Sequence, residues 1–413
     1  MRESTSVPER DPVVLAAVVV GVGVVCALHV GKLPVAIPVL QASLGLSLLQ
    51  AGFLLSLVQL AGMTLGLVVG LMADHLGPRR VMLAGLGLLA MGSALGGLST
   101  GVHGLLATRV LEGLGFLLAV LPAPGLLRQR VHNPKTLARA LGWWGAYMPL
   151  GTATALLCGA PLLELIGWRP VWLLLALLTF LAAIGLATQV SYDPTHARGT
   201  GSVVGTKALK PWTRVRLTLV APGPWLVALA FFLYSGQWLA VVGFLPSIYT
   251  QAGLLGATLG LLTAVAAAVN MVGNMASGRL LQKGIHPSVL LAMGFLAMGA
   301  GAFLAFAEFT QSWPWLRYAG VLLFSACGGL VPGTLFSLAV RLAPHERNVS
   351  TTVGWMQQGS AAGQFAGPPL VAWLASQVGG WQWTWLATGL CCVLGGLLSL
   401  LIARTLSQQS VAS

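Results

Sequence analysis

Apolar runs of roughly twenty residues or more recur along this chain, broken only by short polar stretches. The run at 13–39 carries a single charge, Lys32. A helix needs about 20 apolar residues to cross the hydrocarbon of a bilayer. Twelve stretches qualify: 13–39, 48–73, 80–99, 104–127, 138–163, 169–189, 224–249, 256–280, 287–307, 314–341, 350–376 and 382–403. They leave little chain for anything else. Only 8% of the residues are charged, against about 25% in a soluble domain. The expected fold class is therefore an all-α polytopic membrane protein of twelve transmembrane helices.

The only sizeable break, 190–222, holds Gly, Pro, Lys and Arg and divides the spans six and six. It sets three segments: an N-terminal bundle over 1–189, a connector over 190–222 and a C-terminal bundle over 223–413. The formal charge of +13 would suggest nucleic acid in a soluble protein, but topology accounts for it here and no nucleic-acid partner is expected. Of the 22 Lys and Arg, all except Lys32, Arg109, Arg169 and Arg317 fall at the termini and in every second connection. By the positive-inside rule that face is cytoplasmic, with both termini on it, in a bacterial-type inner membrane. Arg2, Glu3, Glu9, Arg10 and Asp11 precede a run too long for a signal-peptide core, so no cleavable signal is expected. The five cysteines all lie in apolar runs without disulfide or metal spacing. No cofactor and no metal site is expected, and the protein is read as a monomer.

The halves align at an offset of 208. Pro38 pairs with Pro246, Gly45 with Gly253, Gly70 with Gly278, Arg109 with Arg317, and Pro124-Gly125 with Pro332-Gly333. Gly159, Pro161 and Leu162 pair with Gly367, Pro369 and Leu370. Paired prolines and a paired intramembrane arginine carry more weight than glycines, which are common here. Two pseudo-symmetric six-helix halves form a transporter architecture, with the substrate site near the midplane between them.

Between the second and third spans the chain reads Gly70-Leu-Met-Ala-Asp74-His75-Leu-Gly77-Pro78-Arg79-Arg80. This resembles the signature loop of the major facilitator superfamily, with His75 in the first basic slot and Pro78 beside the second glycine. Arg109-x-x-Glu112-Gly113-x-Gly115 resembles that family's fourth-helix pattern, with Glu for Gln. The antiporter-associated fifth-helix pattern is met in part by Gly151, Gly159 and Pro161, with Ala160 interrupting its Gly-Pro pair. The resemblance covers essentially the whole chain. Lys32 in the first span is similar to the cyanate-transporter-like branch. The resemblance implies that spans 1, 4, 7 and 10 line a central cavity. It also makes Gly70, Asp74, Gly77, Arg79 and Arg80 an inner gate, with Asp74 against the start of the eleventh span at Ser350 and Thr351.

Ionisable groups inside a membrane are rare and default to functional candidates. At ~1.5 Å per residue Lys32 lies roughly 12 Å inside the outer face, Arg109 roughly 9 Å and Glu112 roughly 13 Å. Lys32 is either a cationic ligand for an anion or a snorkelling side chain. His29 lies one turn earlier on the same face, and its repeat counterpart is Gln237. Arg109 and Glu112 are spaced to neutralise each other; alternatively Glu112 accepts a coupling proton. Asn270 and Trp355 add hydrogen-bonding groups in spans 8 and 11. The substrate-binding candidates are thus Lys32, His29, Arg109, Gln237, Trp355 and Asn270, with Glu112 for proton coupling.

No Gly-x-x-x-x-Gly-Lys-[Ser/Thr] loop occurs, so a solute or proton gradient must supply the energy. The leading expectation is a secondary transporter taking up a small anionic solute by alternating access with protons. Efflux of amphipathic compounds is the alternative. A membrane-embedded enzyme is more distant, because the seven histidines are scattered singly.

Overall fold

The structure, a computed structural model, describes residues 12–190, 211–345 and 348–412, without the side chains at 71, 74, 75, 138, 211 and 409–412. Eleven helices among these residues are long and apolar enough to cross a membrane. They are α1 Pro12–Leu44, α2 Leu48–Gly70, α3 Pro78–Gly97, α4 Val102–Arg130, α5 Pro134–Ile166, α6 Trp168–Gln189, α7 Pro222–Gln251, α8 Gly256–Gln282, α9 Pro287–Phe306, α10 Pro314–Arg341 and α12 Thr384–Gln408. The eleventh in chain order, α11 Val349–Val378, is as long as the others at 30 residues but less apolar. Its Gln358 and Gln364 are the reason: both make hydrogen bonds to α2 or to α11 itself, away from lipid. A short helix, Pro211–Val220, precedes α7.

Local chemistry sets the helix ends. Ser47 and Gln50 form a capping box at the start of α2. Asn133 accepts from the amides of Lys135 and Thr136 at the start of α5. Proline opens α3, α5, α7, α9 and α10, where its missing N–H would have had no helical partner. The α1–α2 and α7–α8 turns each use a glycine with positive φ, Gly45 at 66° and Gly253 at 83°. These two stand at the 208-residue offset.

The repeat is also written in the helix breaks. Helix α4 is interrupted at Leu121 and α10 at Gly329, again 208 residues apart. Pro122 and Pro124 in one copy and Pro332 in the other deprive the preceding turn of amide donors. The α1 helix keeps Pro34 and Pro38 within one continuous rod that runs five residues beyond its expected end.

Helices α1–α6 pack on one another, as do α7–α12. Each half is crossed by a close pair. A Cβ on Gly31 of α1 would lie 2.7 Å from Ala155 Cβ and 2.8 Å from Thr152 O of α5. A Cβ on Gly236 of α7 would lie 2.7 Å from Gly363 O of α11. The halves meet between α2 and α11, between α5 and α8, and between α1 and α7. Between α2 and α11, Gln59 Nε2 donates to Gln364 Oε1 at 2.9 Å and Gln358 Nε2 to Met63 O at 3.1 Å. Between α5 and α8, Gly260 rests on the Leu156 and Leu157 carbonyls, near the face opposite the chain termini. Exposed Leu177, Phe180 and Leu181 of α6 and Leu390, Val393 and Leu397 of α12 form an outer apolar surface suited to lipid.

Candidate functional site

The charged groups deepest in the spans converge on one carboxylate. Glu112 Oε1 accepts from Lys32 Nζ at 2.5 Å, and Oε2 accepts from Arg109 Nη1 one turn earlier on α4. The Lys32 ammonium also donates to Ser93 Oγ of α3 at 3.0 Å. It lies 4.5 Å from the ring centroid of Trp172 on α6, a cation–π distance. The other charged residues of the twelve helices lie within the terminal two turns of a span.

The hydrogen bonds around His29 assign its tautomer. Thr179 Oγ1 donates to Leu175 O at 2.8 Å, so it must accept from His29 Nε2 at 2.7 Å. Nε2 therefore carries the proton and Nδ1 is free to accept from Lys32 Nζ, 3.4 Å away. Ser93 is directed in the same way: its hydroxyl donates to Trp172 O at 2.9 Å and accepts from Lys32. All three ammonium protons then have acceptors: Glu112, Ser93 and His29. Arg109 Nε donates to Leu54 O at 3.1 Å, beside the 3-10 turn Leu57–Gln59 that interrupts α2. Arg109 Nη2 has no partner. Two cations and one anion leave the cluster at +1 with His29 neutral.

The sequence placed Lys32, His29, Arg109 and Glu112 in one chamber lining a central cavity. The structure brings the four together. All are buried, none more than 2% exposed, and their partners come from α3 and α6 of the same half. The cluster is therefore built from side chains of the N-terminal half. The repeat shows the same orientation in the other half. Gln237, the counterpart of His29, turns to α12, where its Oε1 accepts from Cys392 Sγ at 3.3 Å. His29 and Gln237 therefore each face the last helix of their own half.

Two further candidates are also separate from the cluster. Asn270 Nδ2 donates to Tyr234 Oη at 2.9 Å and to Ser325 O at 2.9 Å, tying α8 to α7 and α10. Trp355 is half-buried, edge-on to Trp225 with centroids 4.8 Å apart, and its indole N–H is unpartnered. Arg317 does not reproduce Arg109. It donates to Thr310 Oγ1 and Ala307 O at the end of the membrane opposite the termini. Ser93, Trp172 and Thr179 were not singled out from the sequence. Nothing distinguishes them from the other small polar and aromatic residues of apolar spans.

In the α2–α3 hairpin, Gly77 turns the chain with φ 86° and Pro78 starts α3. Arg79 caps the end of α6, its Nε donating to Val190 O at 2.7 Å and its Nη2 to Ala187 O at 2.9 Å. These bonds tie Arg79 to α6 of its own half. A Cβ on Gly70 would meet nothing within 4 Å. Arg80 is exposed. The side chain of Asp74, assigned to the gate, lies outside the described residues. The start of α11 is held by Asn348, which donates to Arg214 O at 3.0 Å and Thr218 Oγ1 at 3.3 Å of the Pro211–Val220 helix.

The profile of the Major Facilitator Superfamily matches residues 14–357. The chain belongs to the major facilitator superfamily. With its spans, that membership makes it an integral, multi-pass membrane protein. It shares its fold with a bacterial homolog of the human lysosomal transporter Spinster, solved inward-facing and unoccupied. That match has TM-score 0.73 and 19% identity and covers 97% of this chain and 98% of that one. Sequence relatives include the cephamycin export protein CmcT of Amycolatopsis lactamdurans, 32% identical over 45% of this chain and 35% of the relative. The tetracenomycin C resistance and export protein of Streptomyces glaucescens is 34% identical over 38% of this chain and 29% of the relative. The drug efflux pump JefA of Mycobacterium tuberculosis is 29% identical over 35% of this chain and 30% of the relative. The chain thus spans about a third of the length of these relatives.

Proposed function

We propose that this superfamily member exports uncharged or amphipathic compounds in exchange for protons, by alternating access between its halves. It works as a monomer in the cytoplasmic membrane with both termini inside, and without an enzymatic step. The observation that carries this reading is the sequestration of Lys32, Arg109 and Glu112 inside the N-terminal half. With those charges mutually paired, the depth of the membrane between the halves is left to uncharged groups, which suits an apolar cargo. The export and resistance names of the relatives point the same way.

Coupling then resides in the cluster. Protonation of Glu112 removes its single negative charge and takes the cluster from +1 to +2. Lys32 and Arg109, no longer held by a shared anion, repel each other across α1 and α4. The pair returns when the proton leaves.

The test is efflux from proteoliposomes loaded with neutral, cationic and anionic fluorescent amphipaths under an imposed proton gradient. Neutral or amphipathic probes should be moved only with the gradient, and Glu112→Gln should abolish the gradient's effect. Gradient-independent movement would overturn the coupling. A second reading, proton-linked uptake of a small anion, is favoured by the +1 charge and the unpartnered Arg109 Nη2. It requires that Lys32→Ala abolish concentrative uptake of small anions while export of amphipaths is absent.

A further inference from the structure

Helices α2 and α8 open at repeat-related positions, and their first turns are finished differently. In α2, Ser47 and Gln50 close a capping box. Their counterparts in α8, at the 208-residue offset, are Leu255 and Thr258. Leu255 is the N-cap of α8, and its side chain makes no capping bond. The amides of that first turn have no acceptor within the helix, and they leave a partial positive charge at its end.

A side chain of the other half stands there instead. Glu164, near the end of α5, sets its carboxylate beside Gly256, the first residue of α8. A Cβ on Gly256 would lie 3.1 Å from Glu164 Oε2 and 3.3 Å from Oε1. The counterpart of Glu164 at the α2–α11 seam is Ala372, a methyl group. Two cations of this face are engaged within their own halves. Arg169 donates to Ser99 O at 3.3 Å and lies 4.5 Å from the Trp168 ring centroid, and Arg317 is held by Thr310 and Ala307.

One turn further along α8 the halves touch through a second repeat-related pair, Gly52 and Gly260. A Cβ on Gly52 of α2 would lie 2.9 Å from Pro369 Cα and 3.0 Å from Pro368 O of α11. A Cβ on Gly260 would lie 3.0 Å from Leu157 O of α5. Toward the face opposite the termini, the α2–α11 and α5–α8 seams are thus both closed onto main chain.

We propose that Glu164 is a latch between the halves: its carboxylate completes the start of α8 from across the seam and holds the face opposite the termini shut. Where α2 caps itself, α8 takes its anion from α5. Glu164 is exposed, so water takes over its charge when the halves part, and the contact breaks and re-forms at little cost. One charge at a helix start shifts such an equilibrium about two- to fivefold. The latch rests on the alternating-access part of the proposed function, and not on its cargo or its protons.

Nitroxides at Leu98→Cys and Trp315→Cys, exposed on opposite halves, report opening of this face by double electron–electron resonance. The protein is held in lipid nanodiscs with its native cysteines replaced. Gly260→Leu, which wedges a side chain against the α5 carbonyls, marks the distance of the opened form. Glu164→Gln should raise the ratio of opened to closed protein about two- to fivefold. Leu255→Ser with Thr258→Gln gives α8 the capping box of α2, and in that background Glu164→Gln should change the ratio by less than about 1.5-fold. A Glu164→Gln ratio equal to the parent's, with a longer distance in Gly260→Leu, would overturn the latch alone. So would an equal shift with and without the capping box, which a merely structural role of Glu164 would give. One unchanged distance in Gly260→Leu and Glu164→Gln alike would overturn the rocking of the halves together with the latch.

Discussion

Replacing Glu112 by Gln changes shape little and charge greatly, which makes it the sharpest probe of the buried cluster. One carboxylate serves two cations, Lys32 and Arg109, and all three groups are sealed from solvent. Glu112→Gln leaves two cations with no anion and raises the cluster from +1 to +2. Stranding a buried charge destabilises a protein by about 3–5 kcal/mol, and Glu112→Gln should fall at or above the upper end. Lys32→Met acts in the opposite direction, leaving Arg109 and Glu112 as a neutral pair. Ser93 and His29 then lose one hydrogen bond each but keep those to Trp172 O and Thr179. That corresponds to about 1–3 kcal/mol. Combining the two substitutions strands one cation instead of two, so the double variant should be less unstable than the sum of the singles, by more than about 1 kcal/mol. The assay is thermal and denaturant melting of detergent-purified protein, followed by tryptophan fluorescence. A Glu112→Gln variant as stable as the parent, or a Lys32→Met variant less stable than Glu112→Gln, would refute the electrostatic reasoning.

Arg79→Gln should release the last turn of α6 by removing two charged donors from Val190 O and Ala187 O, at a cost of about 1–2 kcal/mol locally. Hydrogen exchange of amides 186–190 should accelerate roughly tenfold with the rest of α6 unchanged. Gln59→Leu combined with Gln364→Leu should alter stability by less than their separate effects imply, with a coupling of about 0.5–1.5 kcal/mol. Additive effects would show that the α2–α11 seam does not depend on that bond.

The number of helices, their pairing at 208 residues and the hairpin at 70–80 are legible because the bilayer imposes length and apolarity, and duplication preserves prolines and turns. The Arg109–Glu112 spacing makes their contact readable from one helix. The direction in which α1 and α4 turn these groups is not readable. Helix α1 is apolar on every side, so no stripe marks which face meets α3 and α6 and which meets the other half. Lys32 is therefore visible as a buried cation with His29 one turn away, while its partners on other helices, Ser93 and Trp172, follow only from packing. Asn270 illustrates the same limit. A polar residue within a span can serve cargo or a neighbouring helix, and its bonds to Tyr234 and Ser325 could not be read from the sequence.

The crossings of α1 with α5 and of α7 with α11 bear on how such a molecule can move. There, main chain rests on main chain or on a methyl group, with Gly31 against Thr152 and Ala155 and Gly236 against Gly363. Such joints have no rotamers to exchange, so each acts as a diagonal brace that stiffens its own half. Between the halves the α2–α11 seam is held differently, by amide side chains, Gln59 with Gln364 and Gln358 with the Met63 carbonyl. Water can replace those bonds one at a time, so the halves can pivot as two stiff levers along a seam that yields in small steps.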